Sequence, residues 1–366
     1  MNAKMTIILM PTILLLASTA AVAEGDSWVD RVAFKGDFRL RYEVVDLEGV
    51  AKLDRTRYRA RFGLSAKVSN DVNFVLQLAS GGDDPVSTNQ TIGDGFSTKD
   101  FGIDLAYVDW KISDRLNLYG GKMKNPMFRA GGLPLVWDSD LNPEGIALTY
   151  KSGMFFGTAG SFSVEQRATD DDSLLYVAQM GMKFPMGDSS RLTAGVGYFA
   201  YTNTIGNLPF YNARPKGNTV EGVGTIVPLG SYVYDYKNTE IFAQLDMMLG
   251  DWPLKVAVHA TQNSEVSVED TAYGFGMALG SSKDHGDMEF VWAYQDIEAD
   301  AVIATFNDSD FGGGGTDASG HILQAKYAIS KKIVVGGTLF INKVGKFQGT
   351  ERDYSRLQLD VEFKFD

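Results

Sequence analysis

The last ten residues, Leu357-Gln-Leu-Asp-Val-Glu-Phe-Lys-Phe365-Asp366, alternate strictly between two characters. Leu357, Leu359, Val361, Phe363 and Phe365 share one face of an extended chain, while Gln358, Asp360, Glu362 and Lys364 share the other. Successive side chains of a strand point to opposite faces, so this segment is a strand with one apolar and one charged side. The same two-residue period recurs upstream. In the first strand-like segment, Phe34, Phe38, Leu40, Tyr42 and Val44 oppose Lys35, Asp37, Arg39, Arg41 and Glu43. In the second, Tyr58, Ala60, Phe62, Leu64, Ala66 and Val68 oppose Arg55, Arg57, Arg59, Arg61 and Lys67. In the eighth, Leu174, Tyr176, Ala178, Met180, Met182 and Phe184 line up. An Arg or Lys on a lipid-facing surface costs about 2–4 kcal/mol at the bilayer midplane. If such a wall stands in a membrane, its charged face must therefore look inward, onto water.

Sixteen segments carry strand character: about 32–45, 54–68, 71–80, 101–112, 116–124, 144–151, 154–164, 173–184, 191–202, 239–249, 254–262, 271–281, 288–297, 320–329, 333–342 and 352–365. Two places strain the pattern. Gly120-Gly121 predicts a bulge in the fifth segment, and the facing of Val108-Asp109-Trp110 is left unassigned. Connections after even-numbered segments are short, while those after odd-numbered ones include the long stretches 81–100, 125–143, 203–238 and 298–319. That alternation of short turns and long loops is the asymmetry of a bacterial outer-membrane barrel. The reading is all-β, a transmembrane antiparallel β-barrel of about 16 strands with both termini periplasmic. A soluble sandwich has no reason to sort its loops this way. Phe34, Tyr107, Trp110, Trp252, Tyr273, Trp292, Tyr294, Phe363 and Phe365 suit interfacial girdles, or are ordinary strand aromatics.

The N-terminus agrees. Lys4 precedes an apolar run to Ala21, and Ala21-Val22-Ala23 is an Ala-x-Ala site. Residues 1–23 read as a signal peptide and 24–366 as a single barrel domain. Removing 1–23 takes away Lys4 and no acid, so the net charge moves from −12 to −13. This speaks against nucleic acid as a partner. There is no cysteine, hence no disulfide framework or thiolate metal site.

Three groups of residues could carry function. Arg39, Arg41, Arg55, Arg57, Arg59 and Arg61 lie on the charged faces of the first two strands. Closing the barrel brings the sixteenth strand alongside, with Arg352 and Arg356. Eight arginines in one sector attract anions or orient polar solutes; alternatively Asp37, Glu43, Asp360 and Glu362 neutralise them in a structural network. The second group is the loop 125–143, which holds Leu133, Leu135, Val136 and Trp137 beside Arg129, Asp138 and Asp140, with Glu144 just after it. Its oil needs cover and its acids need water, so it is expected to fold inward as a constriction, or else to pack on a neighbouring protomer. The third is acidic: Asp83-Asp84, Asp170-Asp-Asp172, and Asn307-Asp308-Ser-Asp310 with Asp317. No EF-hand spacing is present, and a solvated acidic surface is expected, with divalent bridging to lipid headgroups as the minor reading. His259, His285 and His321 form no pair with metal spacing and no Gly-x-Ser-x-Gly elbow occurs. Neither a catalytic residue, a metal nor a cofactor is expected, although a barrel hydrolase stays open.

Gly36-Asp-Phe-Arg-Leu-Arg-Tyr42, Asp54-Arg-Thr-Arg-Tyr-Arg-Ala-Arg-Phe62, Ala106-Tyr-Val-Asp-Trp110 and Gly121-Lys-Met-Lys-Asn-Pro126 resemble the putative porin family of Gram-negative bacteria. A fainter similarity to phosphate-selective porins accompanies it, without the lysine-rich lumen those would imply. The resemblance implies a sixteen-stranded, trimeric channel and carries over no defined substrate residues. The family pattern ends in an aromatic, so Phe365 stands in for it ahead of Asp366. The expected function is passive diffusion of small hydrophilic solutes across the cell outer membrane, in contact with lipid and lipopolysaccharide. An anion-selective channel for phosphate or organic acids, and a closed structural or adhesive barrel, remain as alternatives.

Overall fold

The computed structural model describes residues 28–223 and 230–365. The signal sequence read at 1–23 lies outside them. Sixteen long strands follow in order: β1 (Val32–Leu47), β2 (Leu53–Lys67), β3 (Val72–Ser80), β4 (Phe101–Ser113), β5 (Leu116–Lys122), β6 (Glu144–Ser152), β7 (Phe155–Glu165) and β8 (Ser173–Pro185). Then come β9 (Arg191–Tyr201), β10 (Lys237–Leu249), β11 (Trp252–Asn263), β12 (Thr271–Gly280), β13 (Met288–Ile297), β14 (Ala318–Ser330), β15 (Ile333–Val344) and β16 (Arg352–Phe365). Each pairs antiparallel with the next, and β16 pairs back onto β1 from Gly36↔Phe365 to Leu47↔Tyr354. The sheet is therefore a closed barrel. Closure satisfies every strand's backbone groups without an edge, which is what a spanning sheet requires in lipid.

Facing follows the alternation. On β1, Phe34, Phe38, Leu40 and Tyr42 are exposed outward while Arg41 and Glu43 are buried inward. On β8, Tyr176 and Met180 are exposed and Leu175, Val177 and Gln179 are buried. Short turns such as 153–154 and 331–332 gather at one end, and long loops at the other.

Two details differ from the sequence reading. β5 keeps continuous register with β6, from Leu116↔Tyr150 to Lys122↔Glu144, so Gly120-Gly121 holds no bulge. Gly121 is needed for another reason: at φ +120° a Cβ there would lie 2.2 Å from the Ala106 carbonyl oxygen. The irregularity in this region falls on β4 instead, where the partners of Gln77 and Leu78 skip Asp104. Beyond that slip, Val108 and Trp110 face outward and Tyr107 faces in, against Tyr119. Tyr107 thus does not join the outer girdle.

The upper interior is packed. Trp137, Phe162, Phe199, Tyr201, Phe210, Tyr232, Tyr236 and Phe311 belong to one buried cluster, fed by the loops 123–143, 202–236 and 298–317. Burying each large apolar side chain contributes about 1.5–3 kcal/mol.

Candidate constriction site

β1 and β2 set their arginines directly opposite one another: Arg39↔Arg59 and Arg41↔Arg57. Like charges so placed repel, and the neighbouring strands bring acids in register. Asp37 stands opposite Arg61 and Glu43 opposite Arg55 on β2, while Asp360 of β16 faces Arg41. Arg41 makes a two-point contact with Asp360, Nε to Oδ1 at 2.7 Å and Nη2 to Oδ2 at 2.8 Å. Arg59 reaches Asp37 at 2.8 Å and Glu362 at 3.3 Å. Arg61 shares Asp37 at 2.8 Å and lies 3.9 Å from Asp140. Glu43, fully buried, is held by Arg55, by Arg57 at 3.6 Å and by Arg356 at 2.6 Å. The neutralising network is thus present. Arg352 is not part of it: it sits exposed at the outer start of β16.

Arg39 is the exception. It has no carboxylate within ion-pair distance among the described residues, and donates from Nη2 to Asn89 Oδ1 at 2.7 Å. Its Nε has no partner. Asn89 reaches it because the two-residue strand Gln90–Thr91 pairs with Arg57 and Tyr58 of β2, extending the wall above the short β3.

The loop 123–143 crosses the interior. Phe128 packs between Phe156 and Phe242, at 5.5 and 5.3 Å between ring centroids. Gln179 clamps its backbone: Phe128 N–H donates to Oε1 at 2.8 Å, and Nε2 donates to the Phe128 carbonyl at 3.0 Å. Gly131 N–H donates to Gln244 Oε1 at 2.8 Å. Leu133 lies over Gly276 of β12, where an added Cβ would come within 3.2 Å of it. Trp137 meets Phe199 and Phe162 edge-on and donates from Nε1 to Tyr201 Oη at 2.9 Å. It secures the loop from behind rather than standing at the aperture. Glu144 also stands away from it, paired with Lys122 at 2.8 Å in the wider outer vestibule.

A second loop, 298–317, folds inward as well. Ala299 through Thr305 are all buried. The two loops are joined: Asp138 N–H donates to the Phe306 carbonyl at 2.8 Å, Asn307 Nδ2 to the Leu135 carbonyl at 3.2 Å, and Ser309 N–H to Asp138 Oδ2 at 2.9 Å. Asp310 then reaches the arginine wall, 2.8 Å from Arg356 and 3.2 Å from Arg41. The expectation of a solvated acidic surface therefore fails for Asp308, Asp310 and Asp317, which turn inward, while Asp83, Asp84 and Asp170–Asp172 are exposed. The apolar run Ala301-Val-Ile-Ala304 was the available signal, of the same kind that marked 125–143.

The loop acids differ in charge state. Burial alone would raise Asp310, but Arg356 and Arg41 overcome it and hold the carboxyl at about 2. Burial, then Asp308 and Asp140, push Asp138 up to about 8. Burial and then Asp310 push Asp308 up to about 7. Arg129, half-buried in the same loop, is lowered by burial and steadied by Asp138, Asp140 and Asp308.

Together these groups enclose a cavity of about 250 Å³, with Arg39, Arg41 and Arg59 on the wall and Asp138, Asp140 and Asp308 on the loops. A vestibule of about 880 Å³ lies on the loop side, lined by Asp83, Asp84, Asp104, Asp140 and Glu144.

No curated protein matches the chain. Among solved structures it is similar in fold to OprB of Pseudomonas putida, with TM-score 0.61 and 13% identity over 92% of this chain and 95% of that one. It is also similar to in-vitro folded OmpT of Vibrio cholerae in its trimer form, with TM-score 0.53 and 13% identity over 91% and 99%. A triple mutant of Rhodopseudomonas blastica porin gives TM-score 0.52 and 10% identity over 91% and 100%. At such identities these likenesses speak for the fold. The family described as "Putative porin" matches residues 47–219 and 232–365. With a closed sixteen-stranded wall around a charged interior and a match across most of its length, the chain belongs to the putative porin family and is a multi-pass barrel of the outer membrane.

Proposed function

We propose that this porin is a passive, water-filled channel for small hydrophilic solutes, selecting by size and by the field across its narrowest part. The observation that carries the reading is the 250 Å³ polar cavity between the arginine wall and the acids of two inward loops. Opposed charges across a narrow gap order water and favour polar over oily solutes. A narrower reading, preference for anions such as phosphate or organic acids, is favoured by Arg39, which has no carboxylate within ion-pair distance among the described residues. Export by a signal peptide ending at Ala23, contact with membrane lipid and lipopolysaccharide, and homotrimeric assembly, in line with the trimer form of one OmpT structure, complete the proposal.

The test is reconstitution in planar bilayers. Steady conductance in KCl is expected, with a reversal potential in a salt gradient that moves toward cations in Arg39→Gln. Absence of current would leave the closed, structural barrel as the reading. An unmoved reversal potential would remove Arg39 from the selective part of the pore.

A further inference from the structure

We propose that the chamber beneath the inward loop is a binding site for small aromatic carboxylates, separate from the arginine constriction. It has a volume of about 430 Å³ and is lined by residues of β4–β8 and by Lys124–Phe128 of the loop. Its position is at the turn end of the barrel, since Lys151 and Lys183 precede the turns 153–154 and 186–190.

Two features converge there. The first is aromatic: Tyr107 and Tyr119 lie 6.3 Å apart between ring centroids, and Phe128 and Phe156 5.5 Å. The second is charge. Lys124, Lys151 and Lys183 all line the chamber, and none has a carboxylate within ion-pair distance among the described residues. Asp109 is the one acid in the lining, and it already accepts from Asn117 Nδ2 at 2.9 Å. In a chain with net charge −12, three lysines stand around one chamber whose lining holds a single acid. In the arginine wall every basic group but Arg39 and Arg352 has its carboxylate. Lys183 Nζ lies 5.4 Å from the Phe156 ring centroid, so it offers a cation beside an aromatic face.

An anion would compensate the lysines, and a planar apolar ring would find aromatic partners in the lining. A ring bearing one carboxylate satisfies both demands. Acetate offers the charge without the ring, and benzyl alcohol the ring without the charge. A cavity of a few hundred Å³ that combines aromatic faces with a few convergent polar groups is a usual form of a small-molecule site. The inference rests on the channel reading only for the route by which the ligand arrives.

The experiment is calorimetric titration of the full chain in detergent with benzoate, acetate and benzyl alcohol, beside conductance in bilayers. Benzoate is expected to bind about tenfold or more tightly than either control, the worth of one charge-assisted contact. The triple variant Lys124→Gln, Lys151→Gln, Lys183→Gln should lose that margin, and Arg39→Gln should keep it. Should the triple variant fail to fold, as judged by circular dichroism, Lys151→Gln alone, an exposed side chain, is read in the same way. Benzoate binding no better than acetate, or binding that survives loss of the lysines, overturns the site. Loss in Arg39→Gln places the anion at the constriction and also overturns it. A barrel that binds benzoate but carries no KCl current keeps this site and defeats the channel reading instead.

Discussion

At the scale of single residues, eight similar arginines on paper divide into scaffold and working charge. Arg41, Arg55, Arg57, Arg59, Arg61 and Arg356 are each held by acids, and the fully buried Glu43 alone joins three of them. Removing one partner of such a network leaves an uncompensated charge and costs about 3–5 kcal/mol. Glu43→Ala should therefore lower the thermal unfolding midpoint well beyond Arg39→Gln, which breaks no ion pair; equal shifts measured by circular dichroism would deny the division. The loop acids give a pH dependence. Burial and neighbouring acids raise Asp138 to about 8 and Asp308 to about 7, which favours the neutral carboxyls in mildly acidic solution and the charged ones in alkaline solution. Raising the pH through that window adds negative charge to the constriction. The reversal potential should move toward cations between about pH 6 and about pH 9, and the movement should shrink in Asp138→Asn. A flat profile would mean that these carboxyls do not face the current path. Since their pKa values are raised by folding, the stability they cost grows as the pH rises above the ordinary carboxylate range.

At the scale of elements, the strands were legible because a two-residue period is local and survives in the sequence. The predicted 271–281 and 352–365 differ from β12 and β16 by at most one residue. Loop 123–143 was legible for the same kind of reason: Leu133, Leu135, Val136 and Trp137 needed cover, and they are buried. Loop 298–317 was missed because its acids drew the reading outward, although Ala301-Val-Ile-Ala304 asked for cover just as plainly. What sequence cannot show is partnership across the barrel. Whether Arg39 or Arg41 receives Asp310, and that Asn89 reaches Arg39, depend on register and on where two loops meet. That meeting has a consequence. Loop 298–317 is held to 123–143 by Asp138, Asn307 and Ser309. Deleting 131–140 should thus open the pore twice over, by removing one obstacle and loosening the other. Conductance and the size limit for sugars in liposome swelling should both rise. Trp137→Ala, with about 3–5 kcal/mol of packing lost, should give a smaller rise in the same direction. If both stay at the wild-type value in an assembled barrel, the constriction lies elsewhere, and loop 202–236 is the next place to look.

For the molecule as a whole, orientation turns a symmetrical hole into an asymmetric one. The loop end opens on Asp83, Asp84, Asp104 and Glu144, whereas Lys151 and Lys183 stand at the turn end. Which end meets the cell's surroundings follows from the alternation of turns and loops: short turns belong in the periplasm and long loops outside. The chain has no cysteine, so one introduced thiol reports one site. Asp171 is exposed in the loop 166–172, and Asp188 is exposed in the turn 186–190. Both are small acids without strand contacts, so replacing either should leave the barrel intact. In intact cells a membrane-impermeant maleimide should label Asp171→Cys and spare Asp188→Cys, and breaking the outer membrane should make the two equal. Labelling of Asp188→Cys alone in intact cells would invert the barrel, placing the acidic vestibule in the periplasm and the lysine chamber at the cell surface, where an anionic solute would meet its binding site before the constriction rather than after it.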